Sequence, residues 1–201
     1  MSADCHLTEA DFIEAFDHAE KVLKRFERLG GETLDTAINQ LRYSARHYLD
    51  GRKNPENADD AIKDAVAHCR RAEFDAIEAS IAVIGTNIIE FDDRFLESSI
   101  EAIIPKYPDY YAKAKKLLAK LDDAESVRNV ADVDLSAYGA TLDELVEFWV
   151  DVSAKLPLVR KIDLETRLKE KISTRRHVMN ALLTILGIAV AVAFGVIAKW
   201  F

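Results

Sequence analysis

The stretch VMNALLTILGIAVAVAFGVIA, Val178–Ala198, carries no charge over 21 residues. As a helix rising about 1.5 Å per residue it reaches roughly 32 Å, against a bilayer hydrocarbon core of about 30 Å. Lys199, Trp200 and Phe201 follow it, a cation able to snorkel and two aromatics suited to an interface. Arg167, Lys169, Lys171, Arg175 and Arg176 precede it. Positive charge stays on the cytoplasmic side of a span, so the pattern predicts one C-terminal crossing with everything before Val178 in the cytoplasm. Read this way, the tail is an anchor.

One face of that tail predicts more than anchoring. At 100° per residue, Asn180, Thr184, Gly187, Ala191, Gly195 and Ala198 fall within about 80° of one another, and larger apolar residues cover the rest. The Gly187, Ala191, Gly195 spacing lets two backbones approach closely in lipid, which predicts self-association into a homo-oligomer within the bilayer. Asn180 and Thr184 extend the stripe toward the cytoplasm with groups able to bond across helices or to meet water in a pore.

Composition narrows the remainder. The net charge of -8 argues against a dedicated sequence-independent nucleic-acid binder, which is usually basic, but leaves room for a small basic pocket. Cys5 and Cys69 are the only cysteines and form no paired motif, which fits a reducing compartment. The opening MSADCHLTEADF is polar and acidic, unlike a signal peptide. Seven glycines and four prolines favour long helices over a turn-rich β fold. The expectation is an all-α chain: a cytoplasmic helical bundle over 1–163, a basic juxtamembrane helix over 164–177, a transmembrane helix over 178–198 and a short external tail over 199–201.

Along the bundle, Thr8 caps a first helix whose Phe12, Phe16, Ala19, Leu23 and Phe26 share a face, and Gly30-Gly31 ends it. A second helix turns Leu34, Ile38, Leu41, Ala45, Tyr48 and Leu49 inward and closes at Asp50-Gly51, giving an αα-hairpin. Helical patterning resumes after Asn57 and runs to Ile104, with Gly85-Thr86-Asn87 the natural place for a break or kink. Tyr107 to Arg128 predicts a lysine-rich helix, read as a solvated surface helix rather than one lying on lipid or nucleic acid. An acidic loop, Asn129 to Ala140, leads to Thr141, which with Glu144 predicts a capping box. That helix ends or bends before Pro157. Leu164, Leu168 and Ile172, four apart, mark a last charged helix entering the span with no glycine or proline between, and so a rigid link to it.

Catalytic signatures are absent: no G-x-S-x-G, H-E-x-x-H, P-loop, G-x-G-x-x-G or paired-cysteine site occurs. His6, His18, His47, His68 and His177 are scattered, and Glu90-Phe91-Asp92-Asp93-Arg94 reads as a solvated face before a metal site. No enzyme, metal or cofactor is expected. Two helical segments stand out instead. In NQLRYSARH, Asn39, Arg42 and Arg46 lie near one face with Tyr43 and His47 beside it. In HCRRAEFDAIE, His68, Arg71, Asp75 and Glu78 share a stripe. Arginine forks and imidazoles on such a seam hold phosphates, with aromatic faces nearby for a base. The alternative is a structural network in which Arg71 pairs with Asp75 and sets helix register. Arg42, Arg46, His47, His68 and Arg71 are the candidate ligand residues.

The pattern L-R-Y-x-x-R-H on one helix and H-C-x-R-A-x-x-D on the next looks like that of small helical bacterial proteins. The layout, a compact cytoplasmic helical domain fused to one C-terminal span, resembles the membrane effectors of bacterial anti-phage operons such as the CBASS and Hailong-type systems. That resemblance implies an inner-membrane homo-oligomer that disrupts the membrane or conducts ions. Its control would come from a nucleotide or oligonucleotide made by a partner nucleotidyltransferase. The alternative is a tail-anchored adaptor or scaffold that recruits a partner to the inner membrane through a passive anchor, and a third possibility is a tethered hydrolase or nuclease.

Overall fold

The computed structural model describes residues 7–30, 32–122 and 134–197, with the side chains of 120, 122 and 187–197 excepted. Six α-helices account for nearly all of these, and no strand occurs among the described residues: α1 Glu9–Gly30, α2 Asp35–Lys53, α3 Ala58–Arg94, α4 Glu97–Glu101, α5 Tyr107–Asp122 and α6 Leu135–Ile197. A 3-10 turn, Pro55–Asn57, joins α2 to α3. The chain forms two compact units, Met1–Arg94 with Lys106–Ala154, and Phe95–Pro105 with Lys155–Phe201. α6 belongs to both and is helical throughout.

In the first unit, α1 begins as its cap predicts. The Asp11 N–H donates to Thr8 Oγ1 at 3.3 Å while the Thr8 N–H donates to Asp11 Oδ2 at 2.7 Å, a reciprocal box closed by aspartate. The Thr8 hydroxyl and backbone hold the exposed Asp11 carboxyl below the ordinary carboxylate range. Phe12, Ala19, Leu23 and Phe26 form the buried face, in steps that keep one side of a 3.6-residue helix inward. On α2 the buried residues are Ala37, Leu41, Ser44 and Gly51, with Leu34, Ile38 and Tyr48 packed partly against them. Leu49, expected inward, is exposed, and Gly51 does not close the helix, which continues to Lys53.

Gly51 stays helical because its missing side chain is what lets α2 meet α3. A Cβ there would lie 2.6 Å from the Ala61 Cβ. Ala65, Cys69 and Ala72 continue the small-residue surface of α3, and Ser44 crosses to it, donating to the Ala65 carbonyl at 2.8 Å with Cys69 Sγ at 2.9 Å. Burial pushes the Cys69 thiol up, against the Ser44 hydrogen bond. Replacing Gly51 with alanine should therefore destabilise the chain: the overpacking cost of about 1–3 kcal/mol exceeds a helix-propensity gain of about 1 kcal/mol. Gly85→Ala should cost less than Gly51→Ala, because the nearest atoms, 3.1 to 3.3 Å away, are all in the Leu118 side chain, which needs to give by only a few tenths of an ångström. Denaturant titration of both variants checks the pair, and equal effects would contradict the close α2–α3 seam.

α3 packs against α1, α2 and α5 and is the centre of this unit. Ile77, Ile81, Ile84 and Ile88 run along its buried side. Gly85-Thr86-Asn87 does not interrupt it. Gly85 is buried under Leu118, so the glycine serves close packing of α5 rather than a hinge. The interruption comes ten residues later, at Phe95 and Leu96.

α5 is anchored by Tyr107, which is 2 % exposed and donates its hydroxyl to the Ile88 carbonyl. Burial, then the charge of Asp92, pushes its phenol well above the ordinary value. Tyr110 stacks on Phe148 of α6 at 3.8 Å, and Lys113 pairs with Glu144. Lys115 lies 4.8 Å over the Tyr111 ring. The lysine face of α5 is thus partly engaged within the unit.

α6 starts earlier than Thr141. Asp134 is its cap, accepting from the Ala137 N–H at 3.1 Å, while the Thr141 hydroxyl donates back to the Ala137 carbonyl at 2.9 Å. Residues 135–140, expected as loop, are its first turns, and residues 129–133 lie outside the described residues. Leu142, Leu145, Phe148 and Val152 are buried. Pro157 sits inside the helix and neither ends nor interrupts it. Proline removes one backbone donor, but both Pro157 and Ser153, whose carbonyl loses its partner, are exposed, so water can serve that carbonyl.

The second unit is held by a buried carboxylate. Asp163 accepts from the Leu96 N–H at 2.9 Å, just ahead of α4, and from Arg167 Nε at 2.7 Å. Burial works against its ionisation, but those two donors outweigh it and hold the carboxyl below the ordinary range. Ile100, Ile104 and Val159 are buried. From 164 to 186 every side chain but Thr166 is exposed, including Leu164, Leu168 and Ile172. Among the described residues no helix is long and apolar enough to cross a membrane. The expected span over 178–198 has described side chains only as far as Leu186, and the tail over 199–201 lies outside the described residues.

Candidate functional site

α2 and α3 bring two of the five candidate ligand residues face to face. The small-residue seam beneath them sets the helices close enough for the His47 and His68 rings to stack at 5.1 Å and 18°. Tyr43, one turn before His47, adds a tilted ring 5.7 Å from His68, so three rings from two helices cluster at the seam. Tyr43 is 57 % exposed. His68 Nδ1 lies 2.7 Å from Gln40 Oε1, within hydrogen-bonding distance. His47 Nδ1 is 3.8 Å from Asp64 Oδ2.

The arginines are arranged differently. Arg42 and Arg46 are exposed and turn along their own helix, Arg42 Nη1 to Asn39 Oδ1 at 3.4 Å and Arg46 Nε to Asp50 Oδ2 at 3.2 Å. Arg71 is exposed on α3, and its charge is felt by both His68 and Asp75. Exposed contacts of this kind are worth less than about 1 kcal/mol, so a phosphate could displace them at little cost. Farther along the α3 stripe, burial pushes the Asp75 carboxyl up against the pull of Arg71, and burial and then Asp75 push Glu78 up.

His68 titrates below the ordinary imidazole range, first because it is partly buried, then because His47 and Arg71 oppose a further positive charge. Between that depressed value and about 6.5 the unfolded chain binds more protons than the folded one, so stability falls as the pH drops below about 6.5. Thermal unfolding from pH 7.5 to 5 should show this loss, and His68→Gln should reduce it. An unchanged profile in the variant would remove His68 as its source.

Of the α6 candidates, Asn180 and Thr184 are exposed, and the Thr184 hydroxyl donates to the Asn180 carbonyl at 2.9 Å within the helix. Gly187, Ala191 and Gly195 fall among residues whose side chains are not described. Among the described residues no group of three histidine, cysteine, aspartate or glutamate side chains could hold a metal ion, and Glu90 pairs with Arg94 at 2.8 Å. Sequence reading passed over Gln40 and Asp64, the polar partners of the two imidazoles, because neither belongs to a recognisable motif. It also left His18 unattached, whereas the structure sets its Nδ1 3.2 Å from Glu73 Oε1. Compared with known protein families, curated proteins and solved structures, the chain matches none of them.

Proposed function

We propose that this chain is a non-enzymatic, ligand-controlled membrane effector that self-associates through its C-terminal helix and makes the bacterial inner membrane leak ions. The observation that carries this reading is α6 itself. One helix leaves the first unit's core at Val152 and continues through the basic stretch into the uncharged run. There Val178, Met179, Leu182, Leu183, Ile185 and Leu186 are each more than half exposed. A helix apolar around most of its circumference requires lipid or protein around it, and the length of the uncharged sequence matches lipid. The Gly187, Ala191 and Gly195 face supplies the packing between copies, with Asn180 and Thr184 at the cytoplasmic mouth.

The stacked His47 and His68 rings, the tilted Tyr43 ring beside His68 and the exposed guanidiniums of Arg42, Arg46 and Arg71 on the same two helices supply the input: aromatic faces for a base and displaceable charges for phosphate, suited to a nucleotide or oligonucleotide. Such a ligand acts only by preferring one packing state of the assembly. Expressed in cells with a potential-sensitive dye, the wild type should depolarise the inner membrane, and Gly187→Leu/Ala191→Leu should not, while remaining membrane-bound. Equal depolarisation by both would reject the packing face. A passive-anchor adaptor predicts that any apolar span of equal length would preserve activity.

A further inference from the structure

We propose that the cleft between α1, α3 and the first turns of α6 is a second binding site, for a small organic cation with an apolar body. The cleft measures about 550 Å³, within the usual range of about 300–1,000 Å³ for small-molecule sites. Val22 of α1 and Ile77 of α3 give it an apolar wall, and α6 closes the other side. Its charged groups are His18 and Arg25 from α1, Glu73 from α3 and Asp143 from α6.

These groups are unequally satisfied. Arg25 and Asp143 pair directly with each other. Glu73 is only 13 % exposed, and its partner is the imidazole of His18, itself 58 % exposed. A carboxylate withdrawn from water gains most from a full positive charge, and the cleft offers it an exposed, displaceable imidazole instead. The cleft also holds one more carboxylate than guanidinium, in a chain of net charge -8, so the field around it draws cations and repels anions. An ammonium at Glu73 would leave its carbon body against Val22 and Ile77. The opposite wall contains Gly139, where a side chain would meet nothing within 4 Å, so α6 borders space rather than a packed surface. A ligand there would touch the first turns of the helix that runs on to Ile197. This site is separate from the ring cluster on α2 and α3 and does not depend on its role.

Titration calorimetry on the full-length, detergent-solubilised chain tests the assignment with phenethylamine and with phenylacetate, which has a similar shape and the opposite charge. The wild type should bind phenethylamine in preference to phenylacetate. Glu73→Gln should weaken phenethylamine binding at least about tenfold, as expected for loss of a charged partner. Gly139→Leu, which adds a side chain to the α6 wall and leaves the carboxylate in place, should weaken it as much without lowering the melting temperature. No binding of phenethylamine, equal binding of phenylacetate, or wild-type affinity in Gly139→Leu would overturn the proposal.

Discussion

Leu183→Arg/Leu186→Arg is expected to remove the chain from the membrane fraction. Leu186 lies eight residues past Val178, about 12 Å along a helix of about 1.5 Å per residue, and so near the middle of the run. An arginine at the centre of a span costs about 2.5–3.5 kcal/mol on insertion scales, and each lost leucine forfeits roughly half a kcal/mol more. The second arginine, nearer the cytoplasmic end, adds a smaller penalty because its side chain can snorkel. Together these terms oppose insertion by roughly 4 kcal/mol or more. The first unit should be untouched, since both positions are exposed and lie in the second. Fractionation followed by immunodetection reads the result. Retention of the double variant in washed membranes would mean that this run is held by something other than lipid.

The second large effect lies in the core. Ile81 is 1 % exposed on the inner side of α3, four residues before Gly85. Truncating such a side chain to alanine costs about 2–5 kcal/mol, through lost burial and the cavity left behind. A domain of ordinary stability has about 5–15 kcal/mol in total, so Ile81→Ala should lower the unfolding midpoint by roughly 5–15 °C. Ile172→Ala is the control, because Ile172 is 64 % exposed and its loss should change the midpoint little. Equal effects at the two positions would mean that the exposed α6 face is covered in the purified protein, as it would be by a second copy.

Much of the fold could be read from local patterns, because helices declare themselves through spacing. The Thr8 cap, the Phe12 to Phe26 face of α1 and the turn around Pro55 depend on residues within one or two turns of each other. The two glycines differ from expectation for one reason: each is decided by a residue on a neighbouring helix. Gly85 looks like a hinge until Leu118 is seen to pack over it, and Gly51 looks like a terminator until Ala61 is seen against it. Thr141 and Asp134 are both chemically suited to cap α6, and nothing within the sequence around them ranks the two.

The candidate site divides along the same line. Arg46 and Asp50 are four apart, so their pairing was available from the sequence, and it turns that arginine along α2 rather than across the seam. The stacking of His47 on His68 needed the registry of two helices, which Ser44, Cys69 and Gly51 determine from below. The cleft at Glu73 was invisible for the same reason. Its walls come from residues near 18, 73 and 139, brought together only by the packing of α1, α3 and α6.

The proposed function requires the uncharged end of α6 to lie in a bilayer, with the residues before Val178 on the cytoplasmic face. Inverted inner-membrane vesicles containing the wild-type chain, washed with alkaline carbonate and then treated with protease, test it most directly. The chain should stay in the pellet through the wash, and protease should then trim it to a short C-terminal fragment. Release of the intact chain into the carbonate supernatant would contradict it.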